Sequence, residues 1–344
     1  MTPLLAMAAA AMMTSSPAQD RGTIIGYVAA FKGLDRAIAQ GGFDNYTQLD
    51  LAFVNPTPTG DVLGPDGLAC APAGNGGMVS EAQLRQLVAA AHKAGAKVVA
   101  SLGGAVIPPC GGDWTQLAAP PLRDRVVAGV IAMVDRYDLD GVDIDLEGKL
   151  MTDIDQAGNY TPLVSALSAA LHARSKLLTV ATGSYPGGMV PDSSLPYFDV
   201  IGLMSYDQVG PTWGPAGAEH STYEQAEKDL ILWLGKGVPA SRLALGMPFY
   251  GRGFGTYREG WSLQDIAEAF GGRQLKSDVV GTLCGGCSYI TYNGLPTLGK
   301  KAELAGAWGA GVMVWEFGED LAGSRAIRHI GEAYRKGRSR ARRH

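Results

Sequence analysis

Apolar and polar positions along the chain alternate between two kinds of pattern. Short apolar runs typical of buried strands are separated by longer segments in which apolar residues recur at helical spacing. The predicted strands are residues 23–28, 48–54, 97–102, 140–147, 177–182, 200–206, 243–250 and 311–316. The predicted helices are residues 80–95, 121–136, 160–173, 222–236, 299–309 and 322–335. Eight buried strands that mostly alternate with helices predict an α/β fold, a single-domain (β/α)8 TIM barrel, rather than a doubly wound sheet.

Two further features support this fold and refine it. No G-x-G-x-x-G follows the first strand, so the main motif of a dinucleotide-binding fold is missing. Residues 56–79 are rich in proline, glycine, alanine and aspartate, which predicts a long loop after the second strand.

The fourth predicted strand carries three acids, Asp143, Asp145 and Glu147, at alternate positions with aliphatic residues between them. In a closed barrel this period of two directs the aliphatic side chains to the outer helices and the acids into the lumen. Carboxylates crowded in one lumen cannot all ionise at neutral pH, so at least one proton is shared and one pKa rises. A raised carboxyl pKa is what a general acid requires.

Two other interpretations of this strand are a solvated acidic face and a calcium loop. The calcium loop fails on spacing: with Asp138 as first ligand, Asp143 would stand at the sixth position, where the EF-hand needs glycine. A solvated acidic face on the fourth strand would not explain the unusual residues at the ends of other strands. Unusual polar and aromatic residues also end the sixth, seventh and eighth strands, where barrel enzymes place their sites. These residues are Met204, Tyr206, Asp207, Tyr250 and Trp315.

Composition and the first residues bear on partners and location. The 344 residues carry a formal charge of -4 with no large basic domain, which argues against a nucleic-acid partner. Residues 4–13 are apolar and are followed by a small-residue site, which predicts a signal peptide over residues 1–18. The apolar run is too short to span a bilayer. We therefore expect a secreted protein, extracellular or periplasmic, without stable membrane insertion.

The four cysteines, Cys70, Cys110, Cys284 and Cys287, favour two disulfides, with the pairing left open. A four-cysteine zinc site is the alternative, but only one C-x-x-C is present. Residues 20–336 are predicted to form the catalytic barrel. Residues 337–344 form a basic tail, expected to be a frayed, solvated end, with weak attraction to anionic surfaces as the lesser alternative.

Five motifs in order resemble glycoside hydrolase family 18, the chitinases and related endo-β-N-acetylglucosaminidases. The pattern D-x-x-D-x-D-x-E corresponds to Asp140, Asp143, Asp145 and Glu147, and S-x-G-G to Ser101, Gly103 and Gly104. The pattern M-x-Y-D corresponds to Met204, Tyr206 and Asp207, Y-G-R to Tyr250, Gly251 and Arg252, and the last motif is Trp315. The match extends from about the first strand to the eighth.

The resemblance implies a retaining hydrolysis in which the acetamido group of the substrate is the nucleophile. Glu147 would be the general acid, and Asp145 would hold the acetamide N–H and stabilise the oxazolinium ion. Asp143 would share a proton with Asp145. Tyr206 would donate a hydrogen bond to the acetamide oxygen, and Trp315 would form the apolar floor.

The resemblance also implies a set of substrate-binding residues around this centre. They are Asp207, Met204, Tyr250, Arg252, Tyr27, Phe53 and Gly104. Trp114 and Trp213 are candidates for further subsites, with loop packing as an equally weighted alternative for each. No cofactor or metal is implied. The expected partner is chitin or a chitooligosaccharide, bound by a monomer.

Departures from the family pattern predict an open groove. Leu146, Gly148 and Ala105 stand where aromatic residues are frequent in the family, and the interval between the seventh and eighth strands is too short for a full α+β insertion. A shallow groove favours an endo-acting chitinase on β-1,4-linked N-acetylglucosamine. The alternatives are an endoglycosidase acting on glycoprotein or peptidoglycan and, with less support, a non-catalytic chitin-binding lectin.

Overall fold

The computed structural model describes residues 21–74 and 76–342. Its strands are β1 (Ile24–Ala29), β2 (Gln48–Val54), β3 (Leu63–Gly64), β4 (Gly67–Pro72), β5 (Met78–Ser80), β6 (Lys97–Gly103), β7 (Gly141–Asp145), β8 (Leu177–Thr182), β9 (Val200–Leu203), β10 (Leu243–Pro248), β11 (Tyr250–Gly253), β12 (Gly260–Ser262), β13 (Val279–Gly281), β14 (Tyr289–Thr291) and β15 (Gly311–Trp315). Its α-helices are α1 (Leu34–Gln40), α2 (Glu81–Lys93), α3 (Trp114–Leu117), α4 (Leu122–Tyr137), α5 (Gly148–Gln156), α6 (Tyr160–His172), α7 (Tyr223–Gly235), α8 (Leu263–Phe270), α9 (Leu295–Trp308) and α10 (Arg325–Ala341).

Eight parallel strands close into a barrel in the order β1, β2, β6, β7, β8, β9, β10, β15. These strands coincide with the eight predicted from the apolar runs to within a few residues, so the predicted barrel is confirmed. Helices follow most of the strands and cover their apolar outer faces. Helix α2 begins where expected, because Ser80 and Gln83 form a capping box that satisfies backbone N–H groups of its first turn.

The two faces of β7 separate as the alternating pattern predicts. Val142 and Ile144 belong to the main apolar core between barrel and helices. Asp143 and Asp145 are equally buried, at 1% and 3% exposure, but point into the barrel interior with polar and aromatic residues of other strands. The lumen therefore buries both acids of β7.

The segment predicted as a long loop, residues 56–79, is partly a sheet. Strands β3, β4 and β5 form a three-stranded antiparallel sheet in this interval. Cys70 of β4 is bonded to Cys110 in the loop after β6, with the two Cα atoms 5.5 Å apart. The loop-forming composition concealed strands of two to six residues, which lack the length for a readable period.

The predicted frayed tail is wrong for residues 337–341. Helix α10 continues to Ala341, and Gly337 is buried against α9: a Cβ atom there would lie 2.1 Å from the carbonyl oxygen of Glu303. Glu303 also binds Lys336 and Arg340. Packing and ion pairs against α9 thus order a stretch that charge alone marked as solvated. The predicted signal peptide, residues 1–18, lies outside the described residues.

A small α+β unit stands between the seventh and eighth barrel strands. Strands β12, β11, β14 and β13 form an antiparallel sheet in that order, accompanied by α8. The second disulfide of the protein, Cys284–Cys287, lies in this unit and closes a turn before β14. Tyr250 lies on β11 of this sheet and not on the barrel strand, which ends at Pro248. That this unit falls short of the family's full α+β insertion stays a prediction. Within the described residues, no helix has the length and apolar character needed to cross a membrane.

Candidate active site

A cavity of about 240 Å³ opens at the carboxyl ends of the barrel strands. Nine residues predicted as site residues line it together: Tyr27, Asp145, Glu147, Met204, Tyr206, Asp207, Tyr250, Arg252 and Trp315. These residues come from five separated stretches of chain, and the barrel topology brings them together. The volume is slightly below that of a typical small-molecule cleft, about 300–1,000 Å³, so the cavity suits a single ring.

Asp143 lies beneath this cavity and is held by three hydroxyl groups. Its Oδ2 accepts hydrogen bonds from Tyr27 at 2.9 Å and from Ser101 at 2.7 Å. Its Oδ1 accepts one from Thr179 at 2.8 Å. Burial raises the pKa of Asp143, while these donors act in the opposite direction by stabilising the anion. Three hydroxyl donors thus stabilise the anionic form of Asp143 inside the lumen.

Asp145 has the opposite environment. Its Oδ1 is buried and has no hydrogen-bond partner among the described residues. Burial raises the pKa of Asp145 well above its usual range, and the nearby charges of Glu147, Asp143 and Asp50 raise it further. Of the two acids of β7, Asp145 is therefore the better place for a shared proton, and its side chain borders the cavity.

Glu147, the residue after Leu146 at the end of β7, borders the cavity directly. Burial raises the pKa of Glu147 to about 7, with a smaller contribution from the charge of Asp207. Within the part of the chain described, its carboxyl makes no hydrogen bond to another side chain. A carboxyl that keeps its proton near neutrality and has no internal partner can donate that proton to a ligand.

Asp207 is fixed by several contacts in the loop that follows β9. Its backbone has φ of +59°, a left-handed conformation that aspartate tolerates better than most residues. Arg252 binds both carboxylate oxygens, with distances of 2.8 Å and 2.7 Å. Burial opposes ionisation, but His220 and Arg252 outweigh it, so the pKa of Asp207 lies well below its usual value. Asp207 therefore carries a permanent negative charge at the cavity wall.

Aromatic rings continue the floor of the cavity to one side. Phe53, at the end of β2, is nearly parallel to Trp315, with ring centroids 5.7 Å apart. Phe31 follows at 6.3 Å from Phe53, again nearly parallel, and is 38% exposed. The peptide bonds Ala52–Phe53 and Trp315–Glu316 are cis. Three rings thus form one apolar row from the cavity to the protein surface.

Trp213 stands on the other side, in the loop after β9. Its Nε1 donates to the carbonyl oxygen of Asp207 at 2.9 Å, the guanidinium of Arg252 lies 5.3 Å from its ring centre, and 41% of its surface is exposed. A subsite role for Trp213 stays a prediction that this position allows.

Two predicted substrate-binding residues lie elsewhere. Trp114 is buried at 1% exposure in α3, and its Nε1 donates to Oδ1 of Asn55 at 2.7 Å, so loop packing accounts for it and the subsite prediction is wrong. Gly104 does not line the cavity. A Cβ at Gly104 would lie 2.6 Å from the ring of Phe53, so glycine is needed there to let that ring pack beside Trp315.

Some site residues were not predicted from the sequence. Tyr185 lines the cavity from the turn after β8 and is 59% exposed; an aromatic residue in a glycine-rich turn was its only signal. Asp50 is buried on β2, beside Tyr27 of β1 in register, and accepts a hydrogen bond from Gln48 at 2.8 Å. A single acid inside an apolar strand was the signal for it.

A larger cavity of about 470 Å³ lies elsewhere, between β1, α8 and residues 316–323. Its acids have structural partners. Glu316 accepts a hydrogen bond from the N–H of Gly318, Lys32 pairs with Glu316 and Glu319, and Asp320 accepts backbone N–H groups at the start of α10. The smaller cavity at the end of the barrel is therefore the candidate active site.

A parallel barrel that holds a carboxyl with a raised pKa at the carboxyl ends of its strands has the general acid that glycoside hydrolysis requires. The model of the family described as Glycosyl hydrolases family 18 matches residues 23–320. The chain belongs to this family, which confirms the resemblance found in the motifs.

Individual relatives agree with this membership. The GH18 chitinase ChiB from the chitin utilization locus of Flavobacterium johnsoniae is 29% identical, with a TM-score of 0.76 over 91% of this chain and 94% of that chain. A chitinase-like effector of Moniliophthora roreri is 28% identical over 75% of this chain and 65% of its own length. Chitotriosidase-1 of Mus musculus is 30% identical over 42% of this chain and 38% of its own. The chain thus spans less than two thirds of the length of these curated relatives.

Proposed function

We propose that the chain is an endo-acting chitinase that hydrolyses β-1,4-linked N-acetylglucosamine polymers or oligomers with retention of anomeric configuration. The observation that carries this proposal is Glu147, a carboxyl with a pKa raised to about 7, without an internal partner, beside a cavity floored by Trp315. Similarity to proteins described as chitinases supports the substrate class.

In the first step, Glu147 donates its proton to the glycosidic oxygen while the bond from that oxygen to the anomeric carbon breaks. The acetamido oxygen of the same sugar forms a bond to the anomeric carbon from the opposite face, which gives an oxazolinium ion. An intramolecular nucleophile has a high effective concentration, so the protein has only to position it and stabilise charge. The Glu147 carboxylate then takes a proton from a water molecule as the water oxygen attacks the anomeric carbon. The bond from the anomeric carbon to the acetamido oxygen breaks, which restores the configuration and leaves Glu147 protonated again.

Three further residues, Asp143, Asp145 and Tyr206, bind the acetamide group or stabilise the charge that develops on it. The carboxyl of Asp145, which borders the cavity, accepts the acetamide N–H, and it shares one proton with Asp143, whose anion three hydroxyl groups already stabilise. Tyr206, which lines the cavity, donates to the acetamide oxygen. The oxazolinium charge thus develops beside two buried carboxyls that share one proton, which favours the charged intermediate.

Exposed aromatic residues on both sides of the cavity support internal cleavage. Along the barrel order the row of Trp315, Phe53 and Phe31 leads toward β2, and Trp213 stands beyond β9 on the opposite side. Sugar rings present an apolar face that packs on such rings. A chain that extends past both ends of the cavity is cut internally.

The test uses the purified chain on chitotetraose, its fully deacetylated analogue, a high-mannose glycopeptide and purified peptidoglycan. We expect chitotetraose to be cleaved to chitobiose with the β-anomer formed first by NMR, and no cleavage of the deacetylated analogue, which lacks the nucleophile. If the chain cleaves only the glycopeptide or only the peptidoglycan, that compound and not chitin is its substrate. Binding of chitotetraose without turnover from pH 3 to 9 would make the chain a lectin.

We also propose that the protein is secreted and acts as a monomer. The two disulfides support an oxidising compartment. Mass spectrometry of protein from the medium or periplasm of an expressing cell should find a chain beginning at Gln19, and light scattering should find one chain per particle. A cytoplasmic protein with four reduced cysteines would contradict the location.

A further inference from the structure

His220 lies behind the active-site wall and has no role in the mechanism above. It stands between β9 and α7 and is fully buried. Its backbone N–H donates to Oγ1 of Thr291 on β14 at 3.1 Å, and its carbonyl oxygen accepts from Gln208 at 3.1 Å. The main chain therefore holds His220 between the barrel loop that carries Asp207 and the small α+β unit.

The imidazole ring faces Asp207. Nδ1 of His220 lies 3.5 Å from Oδ1 of Asp207, at the outer edge of hydrogen-bond distance, and the ring packs on Tyr250 with centroids 5.2 Å apart. Neither ring nitrogen has a well-formed hydrogen-bond partner among the described residues. The carboxylate of Asp207 is the polar group that the imidazole approaches.

Packing alone does not account for a histidine at this position. Each buried nitrogen without a good partner costs free energy, whereas a phenylalanine would fill the same space beside Tyr250 without that cost. A buried polar group that is left poorly satisfied calls for an explanation, and a role in a functional site is one such explanation. The functional group in contact here is the carboxylate that borders the cavity beside Glu147.

Burial is the main reason why the imidazole of His220 stays neutral, since it lowers the pKa of this side chain. The charged groups that face it are Asp207 on its own loop, Arg252 on β11 and Lys301 on α9. Burial lowers the pKa of His220, and both cations add to this effect against the attraction of Asp207. A neutral imidazole with its proton on Nδ1 donates to Asp207 without adding a second buried cation beside Arg252.

We propose that His220 is a positioning residue that acts through Asp207: its Nδ1–H holds the carboxylate, together with Arg252, in the orientation that faces the cavity. Arg252 binds both oxygens from one side, and His220 restrains Oδ1 from the buried side. The proposal rests on the proposed hydrolase function, because it assigns a residue to that same site.

The test compares two substitutions in two backgrounds. His220→Phe keeps the ring against Tyr250 and removes both nitrogens, while His220→Asn places an amide N–H where Nδ1 stood. We expect His220→Phe to lower kcat/KM on chitotetraose about tenfold without loss of thermal stability, and His220→Asn to recover most of that loss. In an Asp207→Asn background, His220→Phe should have little further effect, since its partner charge is already gone.

His329 offers a matched control. Its Nε2 is also buried without a partner, but it lies on α10, away from the cavity, so His329→Phe should leave kcat/KM unchanged. Losses from His220→Phe and Asp207→Asn that simply add, or a His220→Phe enzyme with normal kcat/KM, would overturn the proposal.

A second readout does not need activity. The pKa of the Asp207 carboxyl, followed by carbon NMR, should be higher in His220→Phe than in the wild-type chain and should return in His220→Asn. An unchanged Asp207 pKa would count against His220 even in an inactive protein. Absence of wild-type turnover would count against the proposed hydrolase alone.

Discussion

The hydroxyl group of Tyr27 on β1 donates a hydrogen bond of 2.9 Å to Oδ2 of Asp143 on β7, across the interior of the barrel. The two strands are not neighbours, so this bond ties opposite parts of the lumen together. Because it stabilises the anion, it helps to keep the negative charge on Asp143 and the shared proton on Asp145. The hydroxyl of Tyr27 is thus part of the proton arrangement as well as a wall of the cavity.

Tyr27→Phe should therefore lower kcat/KM about tenfold and reduce the free energy of unfolding by about 1 kcal/mol, the usual net value of one internal hydrogen bond. The remaining donors, Ser101 and Thr179, keep the site assembled. Tyr46→Phe is the matched control, because the buried hydroxyl of Tyr46 has no hydrogen-bond partner among the residues that the structure describes, so its removal should leave stability unchanged or higher. Chitotetraose kinetics and urea unfolding measure both effects. Equal behaviour of the two variants would contradict the role of the Tyr27 hydroxyl.

Glu147→Gln should abolish turnover while chitotetraose binding remains. General acid catalysis is worth about 10²–10⁴-fold, and the amide cannot supply the proton. The side chain makes no hydrogen bond to another described side chain, so the substitution breaks no internal contact of the carboxyl. Isothermal titration should give a dissociation constant within about threefold of the wild-type value. A variant that hydrolyses at near-normal rate would exclude Glu147 as the acid.

The sequence predicted most of the barrel because its strands are buried on both faces and read as apolar runs between glycines. Most of the cavity residues followed from the rule that sites lie at strand ends, while Tyr27 and Arg252 followed from the resemblance to the family. Trp114 and Trp213 show that sequence position alone does not separate a subsite residue from a packing residue. Both are tryptophans in loops after barrel strands, and only the hydrogen-bond acceptor Asn55, distant in sequence, turns Trp114 inward.

The other misses have the same origin in contacts between distant segments. Gly337 orders the basic end of the chain only because α9 passes within reach, and His220 acquires significance only because Asp207 and Tyr250 surround it. Neither set of contacts produces a periodic pattern or a motif that could be recognised in the sequence. Short strands such as β3 and β5 also escape, because a period of two cannot be read in two or three residues.

Asp207→Asn should move the basic limb of the pH–rate profile to lower pH. The charge of Asp207 contributes to the raised pKa of Glu147, after burial. With a neutral amide at position 207 the protonated acid is lost at lower pH, and we expect a shift of up to about one unit from the wild-type limb near 7. The profile of kcat/KM between pH 4 and 9 measures it. An unchanged limb in an active variant would remove Asp207 from the control of the acid.

The two loop tryptophans should separate binding from stability. Trp213→Phe should raise KM for chitohexaose severalfold with little change in unfolding free energy, since 41% of its surface is exposed. Trp114→Phe should cost about 1–3 kcal/mol of stability, because it leaves Oδ1 of Asn55 buried without its donor, and should leave KM unchanged in the folded enzyme. Thermal unfolding and steady-state kinetics on both variants test this. A KM change confined to Trp114→Phe would reverse the assignment.

Stability should fall as pH rises from about 5 to 7.5, and Glu319 should account for part of the change. Burial raises the pKa of Glu319 to about 7, against the attraction of Lys32. The folded state therefore holds this proton more tightly than the unfolded chain, whose glutamate titrates near 4.5. The stabilisation from this group is complete below about pH 4.5 and is lost as pH rises through 7, a change of about 1–3 kcal/mol.

Glu319→Gln removes the titration and keeps the shape of the side chain, while Lys32 retains its contact with Glu316. The free energy of unfolding of this variant, measured by urea denaturation at pH 5.0, 6.0 and 7.5, should decline less than that of the wild-type chain. Glu147→Gln should flatten the same curve independently, because its carboxyl has a pKa raised in the same direction at a separate site. Parallel curves for the wild-type chain and Glu319→Gln would show that Glu319 is ionised in the folded protein across this range.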